Sequence, residues 1–415
     1  MRVALIHDHL AQDGGAESTL RVFAEMFPDA PIYTLLYDKK HIEKHYKDRR
    51  VDASIIQRLP GGVRYYKWYM PFMPMAVEFF DLRDYDLVLS DSSSFAKGVI
   101  TTPETLHINY CHTPTRYLWS DTHEYINELK YNKYFKKIIS LVLNYIRIWD
   151  RQAADRVDVF IANSRTSLSR IKKYYKRDAV IIHPHVEMEK FSVSREIGDY
   201  FLAGCRLVPY KRIDVVVEAF KKIPNKKLKV FGDGIDLPRL KEVAGEAENI
   251  EFLGRVSDEK RAELYGKCQA FINPQKEDFG ITVVEAMASG RPVIAFAKGG
   301  ALETVLEGKT GLFFQEQTPE AIQKAVENFH PHNFNSEFIR QHAEKFSKER
   351  FKKEIKEFID KEWELHTEQG AENIEHRAEN IEHRTGNIER VVFLSSRPQS
   401  RDPGERDSYR FPLPV

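Results

Sequence analysis

The sequence predicts an α/β protein with two doubly wound domains, each built on a parallel sheet covered by helices. From Val3 onward, short β-branched runs alternate with amphipathic helical patterns, which is typical of parallel sheets whose strands are connected by helices. The alternation stops between His185 and Gly198, where charged residues crowd, and begins again at Asp199. The chain has 415 residues, more than one compact core usually holds. We therefore expect two domains with a ligand cleft between them.

The first half opens with a predicted strand from Val3 to His7, followed by Gly14-Gly15 and an amphipathic helix ending near Phe27. A long helical pattern lies between Tyr131 and Asp158. The other strands predicted in this half are Pro31 to Leu36, Asp86 to Ser90, His107 to Cys111, Val159 to Asn163 and Val180 to His183. Ligands of such sheets collect at the carboxyl ends of the strands, so the residues that follow these strands are the candidates for a site.

The second half repeats this organisation. Helices are predicted from Arg212 to Ile223 and from Ser257 to Lys267, the latter with a Ser-Asp-Glu capping signal at its start. Its predicted strands are Tyr200 to Cys205, Leu228 to Phe231, Ile250 to Leu253, Ala270 to Asn273 and Val293 to Phe296.

The end of the chain changes character after a last amphipathic pattern. We place the parts at residues 1–190, 191–346 and 347–366, the last a helix expected to pack back on the first domain, and a tail at 367–415. The tail repeats Ala-Glu-Asn-Ile-Glu-His-Arg from Ala371 and again from Ala378. One apolar position per heptad is too few for a stable coiled coil, and the Pro-, Arg- and Ser-rich end is expected to be disordered.

Bulk composition excludes several classes of protein. A net charge of +1 with 30% charged residues gives no overall electrostatic basis for binding nucleic acid. The three cysteines, Cys111, Cys205 and Cys268, lack the spacing of a zinc site or a redox motif, which fits a reducing cytoplasm. No secretory signal and no apolar run of spanning length is found. We expect a soluble or peripherally attached protein.

The stretch from Glu277 to Glu285 is the most informative one for chemistry. It predicts a loop after a buried strand and a helix that starts near Gly280. Free backbone N–H groups at a helix start bind anions, and glycine lets a ligand approach the backbone closely. A pyrophosphate at this helix start would place a sugar near Glu277 and a ribose diol near Glu285. The alternative is a surface loop followed by an ordinary amphipathic helix.

Four motifs occur in one order along the chain: Gly14-Gly15-Ala16-Glu17, Cys111-His112-Thr113-Pro114-Thr115-Arg116-Tyr117, Gly204-Cys205-Arg206-Leu207-Val208-Pro209-Tyr210-Lys211, and the stretch from Glu277 to Glu285. Together they resemble the retaining glycosyltransferases of family 4, which have the GT-B fold of two facing Rossmann-like domains. The resemblance covers residues 1–366. It implies an acceptor domain over residues 1–190 and a nucleotide-sugar donor domain over residues 191–346.

The resemblance also implies roles for individual residues. His112 is expected near the reacting sugar, Arg206 and Lys211 at the diphosphate leaving group, and Glu277 at the sugar hydroxyls; these four are the candidate catalytic residues. The candidate donor-binding residues are Gly14, Gly15, Gly232, Gly234, Arg255, Val256, Phe279, Gly280, Ile281, Thr282, Val283 and Glu285. The candidate acceptor-binding residues are His7, Asp8 and Arg116. The alternatives are a structural histidine, a solvated pair of cations and glycines that only shape loops.

The expected reaction is transfer with retention of anomeric configuration. No carboxylate nucleophile stands out, and the resemblance implies front-face attack in which the departing phosphate helps to deprotonate the acceptor hydroxyl. Two cations and a helix terminus can take the phosphate charge, and no Asp-x-Asp follows the cleft-facing strands. We therefore expect no metal and no cofactor apart from the nucleotide sugar.

Donor and acceptor are inferred from the same motifs. They look most similar to those of bacterial mannosyltransferases of O-antigen, lipopolysaccharide and exopolysaccharide assembly, which implies GDP-mannose and a lipid-linked glycan acceptor. UDP-glucose or UDP-galactose remains open as the donor. Two other classes also remain open: a nucleotide-sugar epimerase of the same architecture and a non-catalytic nucleotide-sugar-binding protein.

Two features of the first half suggest an anionic membrane surface as a partner, and hence a peripheral place on the inner face of the plasma membrane. The stretch from Tyr65 to Met75 is dense in aromatic and methionine side chains, and residues 130–177 contain 13 Lys and Arg against 3 Asp and Glu. The alternative is that the first stretch belongs to the core and the second to a solvated helix face.

Overall fold

A computed structural model describes residues 1–12, 14–129 and 131–368. The predictions for the repeats and the end of the chain fall outside these residues. Residues Met1–Ile359 form one compact unit, which contains two parallel sheets. Within the part described, no helix combines the length and apolar content that crossing a membrane requires.

The first sheet has seven parallel strands in the order β3-β2-β1-β4-β5-β6-β7. The strands are β1 Val3–His7, β2 Ile32–Thr34, β3 Val51–Ala53, β4 Leu87–Ser92, β5 Leu106–Cys111, β6 Val159–Ala162 and β7 Ala179–Ile181. Every residue of the central strands β1, β4 and β5 is buried, as expected for strands covered by helices on both faces.

The helices of the first half are α1 Gly15–Met26, α2 Lys39–His45, α3 Gly62–Tyr65, α4 Met73–Glu78, α5 Thr122–Glu128, α6 Lys133–Asp155 and α7 Arg165–Arg170. A 3-10 helix, Tyr66–Phe72, joins α3 to α4. Asn132 caps α6, because its side chain accepts hydrogen bonds from the amides of Tyr134 and Phe135. The predicted long helix is thus confirmed, with bounds shorter by two or three residues at each end.

The second sheet has six parallel strands in the order β10-β9-β8-β11-β12-β13. They are β8 Tyr200–Gly204, β9 Lys227–Phe231, β10 Ile250–Gly254, β11 Phe271–Asn273, β12 Val293–Phe296 and β13 Gly311–Phe314. The helices are α8 Ile213–Lys221, α9 Leu237–Ala244, α10 Asp258–Lys267, α11 Ile281–Ala288, α12 Ala301–Thr304, α13 Pro319–Glu327 and α14 Ser336–Ala343. The predicted cap of α10 is confirmed, since the Ser257 side chain accepts from the amide of Lys260.

After α14 the chain returns to the first sheet. Residues 348–368 are helical. Phe351 is fully buried and packs against Phe23 of α1 and Tyr110 of β5. Lys348 and Lys352 both pair with Glu25, which lies close to Phe23 at the carboxyl end of α1. The two halves are therefore linked both by the connection between β7 and β8 and by this returning segment.

A buried carboxylate on α6 holds the loop after β5. Asp150 is 1% exposed and accepts hydrogen bonds from the Lys97 ammonium at 2.5 Å and the Thr115 hydroxyl at 2.9 Å. Its second oxygen accepts from the indole of Trp119 at 2.7 Å and the hydroxyl of Tyr175 at 2.9 Å. Because Thr115 and Trp119 flank Arg116 in the histidine-containing motif, this network determines where that motif lies.

Replacing Asp150 with alanine is predicted to destabilise the protein strongly. The substitution removes the acceptor of all these hydrogen bonds and leaves the Lys97 ammonium buried without its partner, so we expect the free energy of unfolding to fall by about 3 kcal/mol or more. Urea denaturation followed by circular dichroism measures the change. The matched control is Asp81→Ala, which breaks an exposed ion pair with Arg83 and should leave the midpoint unchanged. Equal midpoints for Asp150→Ala and the wild type would contradict the prediction.

Candidate active site

The carboxyl ends of β1, β4 and β5 bring together two histidines and two acids. The Asp91 carboxylate lies between them: Oδ2 is 2.9 Å from Nδ1 of His7, and Oδ1 is 2.5 Å from Nε2 of His112. Glu17 of α1 lies on the other side of His7, with Oε1 4.0 Å from Nε2. His7, Glu17 and Asp91 are buried, whereas 14% of the His112 side chain is exposed. His112 is therefore the member of the group that reaches the cleft.

The group is strongly coupled electrostatically. Burial by itself would lower the pKa of His7, but hydrogen bonds and charge attraction from Asp91 and Glu17 outweigh it and raise the pKa to about 10. Burial would likewise raise the pKa of Asp91, but His112 and His7 outweigh it and hold the pKa below its ordinary value. His7 is thus an imidazolium at neutral pH, and Asp91 is ionised and orients the ring of His112.

Asp91 and Glu17 were not among the predicted site residues. Glu17 is the last residue of the motif Gly14-Gly15-Ala16-Glu17, and Asp91 directly follows the predicted strand Asp86 to Ser90. A carboxylate at the end of a buried strand was the available signal, since a buried acid needs charged or hydrogen-bonding partners.

Two predicted acceptor-binding residues have structural contacts. Asp8 accepts hydrogen bonds from the backbone amides of Ser93, Phe95 and Ala96, each at 2.7 Å, and so shapes the loop after β4. Arg116 forms an ion pair with Asp121, with Nη2 and Oδ2 2.5 Å apart. Its guanidinium also lies 5.4 Å from the ring centre of Tyr210, a residue of the other half. Arg116 therefore lies where the two halves meet.

In the second half, Lys211 and Glu277 form an ion pair. The two side chains are 16% and 19% exposed, so they are partly shielded from water yet reachable from the cleft. Burial would lower the pKa of Lys211, but the attraction of Glu277 outweighs it and raises the pKa. The lysine is therefore a fixed positive charge.

Arg206 lies beside this pair at the loop after β8. It is exposed, and its guanidinium is 3.0 Å from the Tyr210 hydroxyl and 3.4 Å from the side-chain oxygen of Gln12 in the first half. The prediction placed Arg206 and Lys211 together after a strand, and the structure has both there, Arg206 at the Tyr210 hydroxyl and Lys211 near the Tyr210 ring.

The start of α11 faces the first glycine motif. Gly280 caps the helix with φ of 90°, a left-handed conformation that favours glycine. A Cβ atom on Gly15 would lie 2.9 Å from Cδ1 of Ile281, so Gly15 and Ile281 are in close contact across the cleft. Gly14 caps α1, the helix that starts at Gly15. Arg170 of α7 also pairs with Asp278, which fixes the loop before α11 against the first half.

The remaining residues of this stretch differ in their surroundings. Phe279 is buried and stacks on His183 with ring centres 5.3 Å apart. Val283 belongs to the core. The hydroxyl of Thr282 is buried and has no hydrogen-bond partner among the described residues. Glu285 accepts from the Tyr265 hydroxyl at 3.2 Å, and its burial raises the pKa. Phe279 and Val283 thus support the loop, whereas Thr282 and Glu285 keep polar atoms near it.

Glycines allow the strand-end loops to pack on one another. Gly232 and Gly234, with φ of 117° and 156°, lie so close to the loop after β8 that Cβ atoms would be 1.9 Å from the Cys205 carbonyl oxygen and 2.1 Å from that of Leu207. Both therefore hold the loop that carries Arg206. Their neighbours Arg255 and Val256 follow β10; Arg255 is exposed, and Val256 packs on the core.

Gly299 and Gly300 were missed as site residues. A Cβ atom on Gly299 would lie 2.1 Å from the carbonyl oxygen of Glu277, and one on Gly300 would lie 2.1 Å from that of Phe279. The Gly300 amide donates to the Glu277 carbonyl at 2.9 Å. The paired glycines after the predicted strand Val293 to Phe296 were the available signal.

A cavity of about 200 Å³ opens beside this group of loops. Its lining residues come from the histidine-containing motif, from α5 and its flanks, and from the other half: Arg116, Tyr117, Asp121, Glu124, Tyr125, Glu128 and Tyr210. Several aromatic rings and carboxylates thus surround a space next to Arg116, an arrangement that suits a polyhydroxylated ligand.

The chain is similar to several known proteins. Residues 187–348 match the family model described as "Glycosyl transferases group 1". The "GDP-mannose-dependent alpha-(1-6)-phosphatidylinositol monomannoside mannosyltransferase" of Mycolicibacterium smegmatis is 30% identical over 205 residues, 42% of this chain and 54% of that protein. The "Alpha-1,3/1,6-mannosyltransferase ALG2" of Mus musculus is 25% identical over 384 residues, 80% of this chain and 89% of that protein.

A structural comparison establishes the fold. The crystal structure of Anabaena Alr3699/HepE in complex with UDP superposes with a TM-score of 0.64 at 19% identity, over 87% of this chain and 100% of that chain. The predicted α/β GT-B fold with two Rossmann-like domains is thereby confirmed. The chain spans about half the length of several curated relatives that it matches. Residues 187–348 are thus similar to the group 1 glycosyl transferases, and the structural likeness extends over most of the chain.

The raised pKa of His7 predicts how stability depends on pH. The folded-state pKa of about 10 exceeds the ordinary value of 6.5, so the stabilisation contributed by the charged ring is complete below pH 6.5 and is lost as pH rises through 10. The difference in unfolding free energy between the wild type and His7→Gln should therefore shrink across this window. Urea denaturation at several pH values measures it.

The control for this measurement is His123→Gln, which changes an exposed histidine of α5. Its difference from the wild type should stay constant over the same window. A constant difference for His7→Gln would show that Asp91 and Glu17 do not keep His7 charged.

Proposed function

We propose that this protein is a retaining glycosyltransferase that transfers a hexose from a nucleotide sugar to an acceptor hydroxyl. The observation that carries the proposal is the Lys211–Glu277 ion pair beside the start of α11, in a loop that Gly15 approaches from the other domain. A fixed cation, a carboxylate and a helix start are the groups needed at a sugar diphosphate. The family match over residues 187–348 includes all of them.

Each group has a role in the proposed reaction. Lys211 and Arg206 neutralise the diphosphate, and the backbone amides from Gly280 to Val283 bind its oxygens. Glu277 accepts hydrogen bonds from the sugar hydroxyls once the diphosphate competes for Lys211. Glu285 accepts hydrogen bonds from the ribose.

The proposed bond changes are balanced without an enzyme nucleophile. The bond between the anomeric carbon and the phosphate oxygen breaks, and the acceptor oxygen bonds to that carbon on the same face. The proton of the acceptor hydroxyl passes to the departing phosphate, which leaves as a nucleoside diphosphate. Lys211 and Arg206 stabilise the negative charge that develops on this leaving group, so the reaction is proposed to need no divalent metal.

His112 completes the proposed site from the first domain. Asp91 fixes the orientation of its ring through Nε2, which leaves the other ring nitrogen for a hydroxyl of the donor sugar. The Asp91 carboxylate is itself held by the charged ring of His7. His7 thus acts through Asp91 and positions His112 rather than binding the acceptor directly.

GDP-mannose is the proposed donor, and a lipid-linked glycan of bacterial surface polysaccharide synthesis is the proposed acceptor. The names of the two mannosyltransferase relatives support mannose, and the first also supports GDP-mannose. UDP-glucose and UDP-galactose are the alternatives, since HepE was crystallised with UDP. The cavity beside Arg116 is the proposed acceptor site. Such an acceptor would place the protein on the cytoplasmic face of the membrane.

A donor panel tests the proposal directly. Purified protein is incubated with GDP-mannose, UDP-glucose or UDP-galactose, with and without lipid-linked acceptor, and nucleoside diphosphate release is measured. We expect release from GDP-mannose that depends on acceptor and persists in EDTA, and an α-linked product by NMR. Isomerisation of the donor without transfer would indicate an epimerase, and binding without turnover would indicate a non-catalytic protein.

Lys211→Ala is predicted to lower the rate of transfer by about a hundredfold or more, because the leaving diphosphate loses a fixed positive charge. The matched control is Lys222→Ala, which removes a lysine paired with Glu320 on the surface of the same domain and should retain the wild-type rate. Circular dichroism should show both variants folded. Wild-type turnover by Lys211→Ala would contradict the assigned role.

A further inference from the structure

Helix α6 carries apolar side chains on a face that no other part of the described protein covers. Tyr134, Ile138, Leu141, Tyr145 and Ile148 are all exposed, Leu141 by 71% and Tyr134 by 68%. Their spacing of four, three, four and three residues places them in one stripe along the helix. At about 1.5 Å per residue, the stripe is about 21 Å long. A separate face of α6 buries Leu143, Ile146 and Trp149 in the core, so the stripe is not needed for folding of the domain.

A second stripe lies on the segment Tyr66–Phe72 and α4. Trp68, Phe72, Met75 and Phe79 are exposed, Phe79 by 68%, and they follow one another at the same spacing of four and three residues. The buried residues Met73, Ala76 and Val77 of this segment face the core instead. This segment therefore also has apolar residues on both its inner and its outer side.

The two stripes lie side by side. At one end, the ring of Trp68 is 6.0 Å from that of Phe135 and 6.2 Å from that of Tyr131. At the other end, Trp149 of α6 donates a hydrogen bond of 2.7 Å to Glu78. Because residues 68 and 78 are next to residues 135 and 149, the two segments are neighbours and run in the same direction, and each carries its own exposed apolar stripe.

The charges that the two segments themselves carry without an ion-pair partner are positive. Lys67, Lys133 and Lys137 are exposed among the apolar residues. The acids of the two segments are already paired: Glu78 with Arg156, Asp150 with Lys97, and Asp155 with Arg151. A basic surface rich in Trp, Tyr and aliphatic residues matches the interfacial region of an anionic bilayer.

We propose that the stripes Trp68/Phe72/Met75/Phe79 and Tyr134/Ile138/Leu141/Tyr145/Ile148, together the docking face, insert into the surface of an anionic lipid bilayer. A second copy of the chain is a poorer occupant, since two basic faces would repel each other across a symmetric contact. The stripes lie in the interface plane, the lysines contact lipid phosphates, and the apolar tips enter the boundary of the acyl chains.

The docking face leads toward the candidate site. Tyr66, at the start of the segment that carries the second stripe, is 5.4 Å from His9, which follows β1. Lys136 of α6 donates to the backbone of Asn127 in α5, the helix that lines the cavity beside Arg116. A bound membrane would therefore lie next to the proposed acceptor site. The docking face itself does not depend on the transferase proposal, because it is defined by exposure and charge alone.

Vesicle co-sedimentation tests the docking face. The full chain is mixed with vesicles of phosphatidylcholine or of phosphatidylcholine with about 30% phosphatidylglycerol. We expect wild-type protein to bind the anionic vesicles. Ile138→Glu/Leu141→Glu should lower the partition coefficient by about tenfold or more, because two aliphatic side chains that enter the bilayer in the proposed complex are replaced with acids.

The matched control is Val180→Glu/Ile197→Glu, which makes the same change at two exposed aliphatic residues outside both stripes. It should bind as the wild type does. Lys133→Gln/Lys137→Gln should lower binding to anionic vesicles only, an effect that about 0.5 M salt reproduces in the wild type. Circular dichroism identifies any variant that fails to fold.

A second measurement uses the wild type, so its result does not depend on whether the glutamate variants fold. Trp68 emission should shift to shorter wavelength on addition of anionic vesicles, and Trp68→Phe should lose the shift. Binding that is unchanged in Ile138→Glu/Leu141→Glu, or a Trp68 emission that does not shift, would overturn the proposal. The proposal would also be overturned if the wild type were a dimer, Ile138→Glu/Leu141→Glu were a monomer, and both bound the vesicles equally well.

Discussion

The burial of Asp91 between two histidines is the constraint on which the first domain's site depends. The carboxylate is fully buried at the end of β4 and touches residues that follow or end β1 and β5. A buried carboxylate must be paired to remain ionised, and here the charged ring of His7 pairs it. Because Asp91 cannot move without breaking that pair, the ring of His112 has one orientation relative to the sheet.

In the second domain, the site residues are positioned by close packing of the loops that carry them. Its loops pack backbone against backbone. Because Gly299 and Gly300 have no side chains, the carbonyl oxygens of Glu277 and Phe279 can lie directly against them. Any side chain at these glycines would separate the loops and move Glu277 away from Lys211. The contact of Gly15 with Ile281 and the pairing of Arg170 with Asp278 then bring this loop to the first domain. The two domains are thus held together by an ion pair and by a close approach that leaves no room for a side chain at Gly15.

Local sequence signals predicted most of the sheet strands and the start of α11, because periodicity and glycine positions are local properties. Two edge strands, β3 and β13, were missed: each is short, and β3 contains Asp52 within three residues. The role of Asp91 depends on strands that are distant in sequence. For the same reason the contacts of Asp8 could not be predicted, because its oxygens accept amides from a loop more than 80 residues away; its role at the acceptor stays a prediction. Periodicity also could not separate the core face of α6 from its exposed stripe, since both faces are apolar.

The presence of two apolar faces on α6 has a physical meaning. A helix with one apolar face needs only the core to be stable, so a second apolar face adds a cost in water that folding does not offset. In α6 the second face is accompanied by a parallel stripe on the neighbouring segment, and the acids of both segments are neutralised by ion pairs. An accidental apolar surface would not be expected to extend over two neighbouring segments whose own acids are all in ion pairs. The combination is explained if the face meets an apolar layer beneath anionic groups, on the side of the molecule where Tyr66 lies against His9.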